Sequence, residues 1–209
     1  MKEVFHIFAY LKKHHNAEMV FDPTPVEFDR SLFAKQDWSF SQYGCEEMKE
    51  EMPEGMPEPR GQPMTMRVFV DSDHAGNKQT RLSRTGFLIF CNMALIDWVS
   101  KKQPTIESSV FGAKFVAMKH GMEKLRGLRY KIRMMGVPLT GPSYIYGDNM
   151  SVINNTQRPE STLKKKNNSI CYHAMRESVA MGESLTAHIR TNDNLADLLT
   201  KVLYGTKRR

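Results

Sequence analysis

Residues 68–76 read Val-Phe-Val-Asp-Ser-Asp-His-Ala-Gly: an apolar run ends in two acids one residue apart, just before a glycine. A strand that delivers carboxylates at its end is one way to build a site for a hard divalent cation. Such ions need several oxygen ligands converging on one point. The same string also suits an ordinary turn, where Asp and Gly are favoured for their own backbone reasons. What decides between the two readings is whether other acids are delivered to the same place, so the rest of the chain has to be laid out around this strand.

Regular patterning begins at Met64. Val68–Val70, Thr85–Cys91 and Ala94–Ser100 read as three strands, and only Asn92-Met93 separates the last two, which predicts an antiparallel hairpin. Strands this tightly connected form a meander. A helix follows, with Thr105 as its expected N-cap. Phe111, Phe115, Met118, Met122 and Leu125 supply its apolar stripe at helical spacing, and Gly136-Val137-Pro138 stops it. Its remaining positions carry Lys124, Arg126, Arg129, Lys131 and Arg133. These are either a solvated helix face or a phosphate-contacting surface. Ser143–Gly147 is a fourth strand, after which Asp148 is placed to cap a helix starting near Ser151. A further helix spans about Ser169 to Met181, a fifth strand Thr186–Arg190, and a final helix opens at Asn194.

Upstream the pattern differs. Val4, Ile7, Phe8 and Leu11 fall at helical spacing and Lys12, Lys13, His14 and His15 close the segment, so a first helix with an apolar face is expected. Residues 21–40 are irregular but carry Phe28, Phe33, Trp38 and Phe40, which are expected to wrap against the later domain. Residues 46–63 hold six Glu and four Pro, the composition of an acidic extended linker. The chain therefore divides into a leading segment 1–45, a linker 46–63, a domain 64–203 and a basic tail 204–209.

Charge and cysteines narrow the setting. Thirty Lys and Arg against 23 Asp and Glu give +7 and favour an anionic partner such as nucleic acid. Cys45, Cys91 and Cys171 are scattered without metal-ligand spacing, which fits a reducing compartment. No stretch approaches the ~18 apolar residues of a membrane span. The expectation is an intracellular protein of cytoplasm or nucleus.

Acids thus stand after strand one (Asp71), after strand four (Asp148) and in the first turn of the last helix (Asp197). Five short motifs accompany them in order: Asp71-Ser72-Asp73-His74-Ala75-Gly76, Ser83-Arg84-Thr85-Gly86, Trp98-Val99-Ser100-Lys101-Lys102-Gln103, Tyr146-Gly147-Asp148-Asn149 and Leu195-Ala196-Asp197-Leu198-Leu199-Thr200-Lys201. Layout and motifs resemble the ribonuclease H domain, and more closely the ribonuclease H region of copia-type retrotransposon polyproteins. Ile7-Phe8-Ala9-Tyr10-Leu11-Lys12 looks like the end of the reverse transcriptase region that precedes it in such polyproteins.

The resemblance implies an α/β ribonuclease H-like fold: a mixed five-stranded sheet, its first three strands antiparallel, flanked by helices, here with an N-terminal helical appendage. It implies an endonuclease, a hydrolase that cuts the RNA strand of RNA–DNA hybrids with four acids and two Mg²⁺ ions. Asp71 takes the position of the acid that touches both metals, Asp148 that of the second acid, and Asp197 that of the outer ligand. The fourth acid is expected on the long helix in the pattern Ser-Ser-x-Phe-Gly-x-Glu-Phe. This chain reads Ser108-Ser109-Val110-Phe111-Gly112-Ala113-Lys114-Phe115, so Lys114 stands where Glu is expected. An ammonium there would pair with the acids and oppose Mg²⁺. Glu107 and Glu123 are too far along the helix to replace the missing ligand. Cleavage is expected to be lost or severely reduced, leaving a non-catalytic nucleic-acid-binding module or a functionless remnant as the alternatives. Lys101, Lys102, Gln103, Asn149, Lys164, Lys165 and Lys166 are the candidates for touching nucleic acid. Asp73 and His74 read as turn residues, His173 as a helix-surface or packing residue, and Trp98 as core.

Overall fold

The computed structural model describes residues 2–44 and 49–201. Cys45, the start of the acidic stretch and the basic tail 204–209 lie outside them. Five strands form one sheet: β1 (Met66–Ser72), β2 (Arg84–Cys91), β3 (Ala94–Lys102), β4 (Ser143–Gly147) and β5 (Ser184–His188), in the order β3-β2-β1-β4-β5. The helices are α1 (Lys2–Lys13), α2 (Val110–Met134), α3 (Met150–Gln157), α4 (Ser169–Ala180) and α5 (Asp197–Thr200). β1, β2 and β3 are antiparallel neighbours, whereas β4 and β5 run parallel to β1. The β2–β3 hairpin turns on Asn92 with φ +53°, a conformation asparagine tolerates. The fifth strand lies two residues earlier than the Thr186–Arg190 expected from its alternation.

The parallel β1–β4 pairing positions the site. Val70 lies opposite Gly147, so both strands end at the same level. The two crossovers pack helices on the sheet. α2 lays Phe115, Met118, Met122 and Leu125 against Val68, Val70, Phe87, Ile89 and Ile145, all buried. α2 begins at Val110, later than expected. Ser109 rather than Thr105 caps it, its Oγ accepting from Gly112 N at 3.1 Å.

The opposite face of the sheet carries Phe69, Tyr144, Tyr146, Leu185 and Ala187, and the leading segment covers it. Phe33 meets Tyr144 and Tyr146 edge-on at 4.8 and 5.0 Å, and Phe28 meets Tyr144 at 4.6 Å. Trp38 and Tyr43 are buried beside them. Arg176 of α4 lies 4.8 Å from the Trp38 ring, and Tyr43 Oη hydrogen-bonds His173 Nδ1. β4 is therefore covered on both faces, and all five of its residues are buried. α1 keeps Val4, Phe5, Ile7, Phe8 and Leu11 exposed.

Two expectations need correction. Trp98 is not core: it is 50% exposed, because β3 is an edge strand with a neighbour on one side only. The cations of α2 are not a free surface either. Arg129 is 2% exposed, with Glu50 at 2.7 Å, Ser143 Oγ at 2.7 Å and Gly141 O at 3.3 Å as acceptors. Arg133 shares Glu50, Arg126 grips Glu183 at 2.7 Å and Lys124 pairs with Asp97 at 3.0 Å. These side chains fasten α2 to the segment before the domain, to the sheet and to the loop before β5. Only Lys131 of the five runs without such a pairing among the described residues.

Candidate metal centre

Asp71 is the penultimate residue of β1 and Asp148 follows β4 directly, so the parallel pairing puts both carboxyl groups at one rim of the sheet. α2 crosses this rim closely. A Cβ on Gly147 would lie 2.5 Å from Met118 Cε, so the absence of a side chain at 147 lets α2 settle at that level. Lys114, one turn before Met118, then faces the strand ends.

The third acid arrives with α5. Asn194 Nδ2 donates to Val70 O at 2.9 Å, Ser100 Oγ donates to Leu199 O at 2.7 Å and Thr200 Oγ1 donates to Asp71 Oδ2. Gly86 permits the approach: a Cβ there would stand 2.6 Å from Thr200 Cγ2 and 2.8 Å from Leu199 Cβ. Asp71, Asp148 and Asp197 each offer an oxygen, and these oxygens lie within 4.8 Å of one another.

Two ammonium groups stand among the acids. Lys114 Nζ donates to Asp71 Oδ1 at 2.8 Å and to Asp148 Oδ1. Lys201 Nζ lies 3.3 Å from Asp71 Oδ2 and 2.5 Å from Asp197 Oδ1. Thr191 Oγ1 donates to Asp148 Oδ2 at 3.2 Å. Burial alone would push the Asp71 carboxyl up, but Lys114, Thr200 and Lys201 outweigh it and hold it below the usual carboxylate range. Asp197 goes the other way: burial and the neighbouring Asp71 charge push it up against the pull of Lys201. Burial works against the Lys201 charge, yet Asp197 and Asp71 raise its pKa. Asp197 Oδ2 is buried and has no hydrogen-bond partner among the described residues.

By donor chemistry the three acids suit a hard divalent cation. Lys114 limits that fit. Its side chain is only 14% exposed, and its ammonium sits between Asp71 and Asp148, where an ion shared by those two acids would have to bind.

The other candidates separate into two groups. Lys101, Lys102, Lys164, Lys165 and Lys166 are exposed, the first two at the end of β3 and the others on the loop before α4. Gln103 is not available to a ligand. It is buried, and its Nε2 donates to Thr85 Oγ1 at 3.0 Å and Ala113 O at 2.8 Å, tying β2 to α2. Asn149 caps α3 through Val152 N at 3.1 Å, the role expected of Asp148, and this leaves Asp148 free for the site. Asp73 Oδ1 accepts from Arg84 N and holds the β1–β2 loop, and His74 is an exposed turn residue. Glu107 is buried against Asn168 Nδ2 at 3.2 Å, and Glu123 pairs with Lys119 at 2.6 Å, so neither serves the site. Thr200 and Lys201 belong to the last of the five motifs but carry no role there, and Thr191 lies in none of them. The i,i+4 spacing of Asp197 and Lys201 is a legible signal for Lys201, whereas nothing local marks Thr191.

No family model matches the chain. Among characterised sequences it is 29% identical over 147 residues to the retrovirus-related Pol polyprotein from transposon RE1 of Arabidopsis thaliana, covering 70% of this chain and 10% of that polyprotein. It is 29% identical over 148 residues to the Pol polyprotein from transposon TNT 1-94 of Nicotiana tabacum, covering 70% of this chain and 11% of the polyprotein. The chain thus spans about a tenth of the length of the relatives it matches. Among solved structures it superposes on LC11-RNase H1 in complex with an RNA/DNA hybrid with a TM-score of 0.51 at 13% identity, covering 65% of this chain and 93% of that one. The N-terminal RNase H domain of a Mycobacterium tuberculosis protein gives 0.50 at 11% identity, covering 66% and 91%. Strand order, crossovers and these superpositions define a ribonuclease H fold. The chain's sequence relatives over this length are retrovirus-related Pol polyproteins of transposons.

Proposed function

We propose that this domain holds nucleic acid of the RNA–DNA hybrid type without cutting it at an ordinary rate, because Lys114 stands in its acid cluster. Bound Mg²⁺ in a complete site of this class activates the attacking water and stabilises the leaving oxygen of a phosphoryl displacement. Here Asp71, Asp148 and Asp197 are the residues that would hold metal. The observation that carries the reading is the Lys114 ammonium lying between Asp71 and Asp148. It replaces a ligand by a competing charge, and the acids it neutralises no longer attract a pair of divalent ions.

Binding does not depend on those ions. The five exposed lysines, 101, 102 and 164–166, supply phosphate contacts of the kind that weaken steeply with salt. The same reading makes residues 1–45 the end of a preceding reverse transcriptase region and 46–63 the join to it, in an intracellular polyprotein.

The test uses the full chain and a hybrid with a labelled RNA strand. The wild type is expected to bind the hybrid in EDTA with a strong salt dependence, and to show little cleavage in Mg²⁺. Lys114→Glu is expected to gain Mg²⁺-dependent cleavage. Cleavage by the wild type as fast as by Lys114→Glu would overturn the proposal.

A further inference from the structure

We propose that the acid cluster takes one divalent ion, not two, seated between Asp71 and Asp197 in exchange for the ammonium of Lys201. This rests on reading the three acids as a divalent-cation site, and it concerns what that site can still do with Lys114 in place.

The two lysines are held very differently. Lys114 projects from the second turn of α2, is 14% exposed, and donates to two carboxylates that are themselves almost fully buried. Withdrawing it would bury an unpaired ammonium or tear the helix from the sheet, both costly. Lys201 stands at the end of α5 and is 36% exposed, so its flexible stem can carry the ammonium into solvent. The position it would vacate is lined by Asp71 Oδ2 and by Asp197, whose Oδ2 is buried and unpartnered among the described residues. That orphaned oxygen gives an ion a ligand that the ammonium does not use.

Charge then fixes the number. Three carboxylates with Lys114 retained carry a formal −2, which one divalent ion neutralises. A second ion would leave a formal +2 in a largely buried site, and its natural position between Asp71 and Asp148 already holds Lys114.

The experiment is calorimetric titration of Mn²⁺ into the full chain without nucleic acid. The wild type is expected to bind one ion. Asp197→Asn is expected to weaken it about tenfold or more by removing one charged ligand. Lys201→Met is expected to tighten it severalfold by removing the competitor, and Lys114→Met to raise the stoichiometry to two. Two ions in the wild type, none, or an affinity indifferent to both Asp197→Asn and Lys201→Met would overturn the proposal. Should Asp197→Asn fail to fold, as judged by circular dichroism, Lys201→Met decides. Failure here is separable from failure of the functional reading, because hybrid binding is measured in EDTA and ion binding without hybrid.

Discussion

Replacing Lys114 by methionine keeps most of the side-chain bulk and removes the charge. Asp71 is then left with Thr200 and Lys201, and Asp148 with Thr191. Removing one partner of a buried ion pair costs about 3–5 kcal/mol, because the remaining charge stays desolvated. The surviving contacts place this case near 3 kcal/mol, which for a chain of this size lowers the melting temperature by roughly 6–12 °C. The pH dependence has a definite sign. Asp71 titrates below its ordinary value in the folded protein, so its ion pair contributes fully above the unfolded pKa, about 3.9. That contribution disappears as pH falls through the lower, folded pKa. Thermal unfolding of wild type and variant should therefore differ most from pH 5 to 8 and converge in acid. High salt should leave the difference largely intact, since a buried pair is poorly screened. Melting temperatures within about 1 °C of each other at pH 7 would refute the reasoning, because they would mean that Lys114 does not hold the acids together.

Three further outcomes follow from the packing. Phe33→Ala should cost about 3–5 kcal/mol in urea unfolding, since Phe33 fills the sheet face against Tyr144 and Tyr146. A loss under 1 kcal/mol would mean that the leading segment does not belong to the folded unit. Glu50→Gln should destabilise by about 3 kcal/mol by leaving the buried Arg129 without its carboxylate. Burial raises the Glu50 pKa, but Arg133 and Arg129 pull it below the ordinary value, so the wild type loses this support as pH falls through the folded pKa and the variant lacks that acid limb. Gly86→Ala should loosen α5, because the added methyl meets Thr200 and Leu199 inside 3 Å. Faster amide exchange at residues 197–201 reports it, and unchanged exchange would count against the close fit.

Much of the site was legible because it is built from strand ends. Alternation and turn residues located β1 and β4, and two strands that pair in parallel must deliver the residues after them to one rim. That pairing is not written in either strand's own pattern: the resemblance implied that the two acids share a site, and the structure supplies the parallel register that brings Asp71 and Asp148 to one rim. Asp197 followed from its motif, although its element is a single turn fastened by Asn194, Thr200 and Ser100 rather than a helix with its own apolar stripe. Such an element owes its position to side-chain hydrogen bonds across 99 to 129 residues of sequence, which no local pattern encodes. Gln103 fails for the related reason that a polar residue after two lysines reads as surface until its two buried acceptors are seen.

The basic helix shows the same limit from the charge side. Five cations in ten residues look alike in sequence, whether they meet phosphate or protein. Four of them meet carboxylates contributed by the segment before the domain, by β3 and by the loop before β5. A net charge of +7 therefore overstates the field offered to a polyanion by this face. Exposed lysines away from this helix include Lys101 and Lys102 at the end of β3 and Lys164, Lys165 and Lys166 before α4. Lys114 is the opposite case, one cation whose position could be read because a motif specified an acid there. Its contacts are decided by geometry: the same ammonium one turn away on α2 would lie off the strand ends, whereas at position 114 it bridges Asp71 and Asp148.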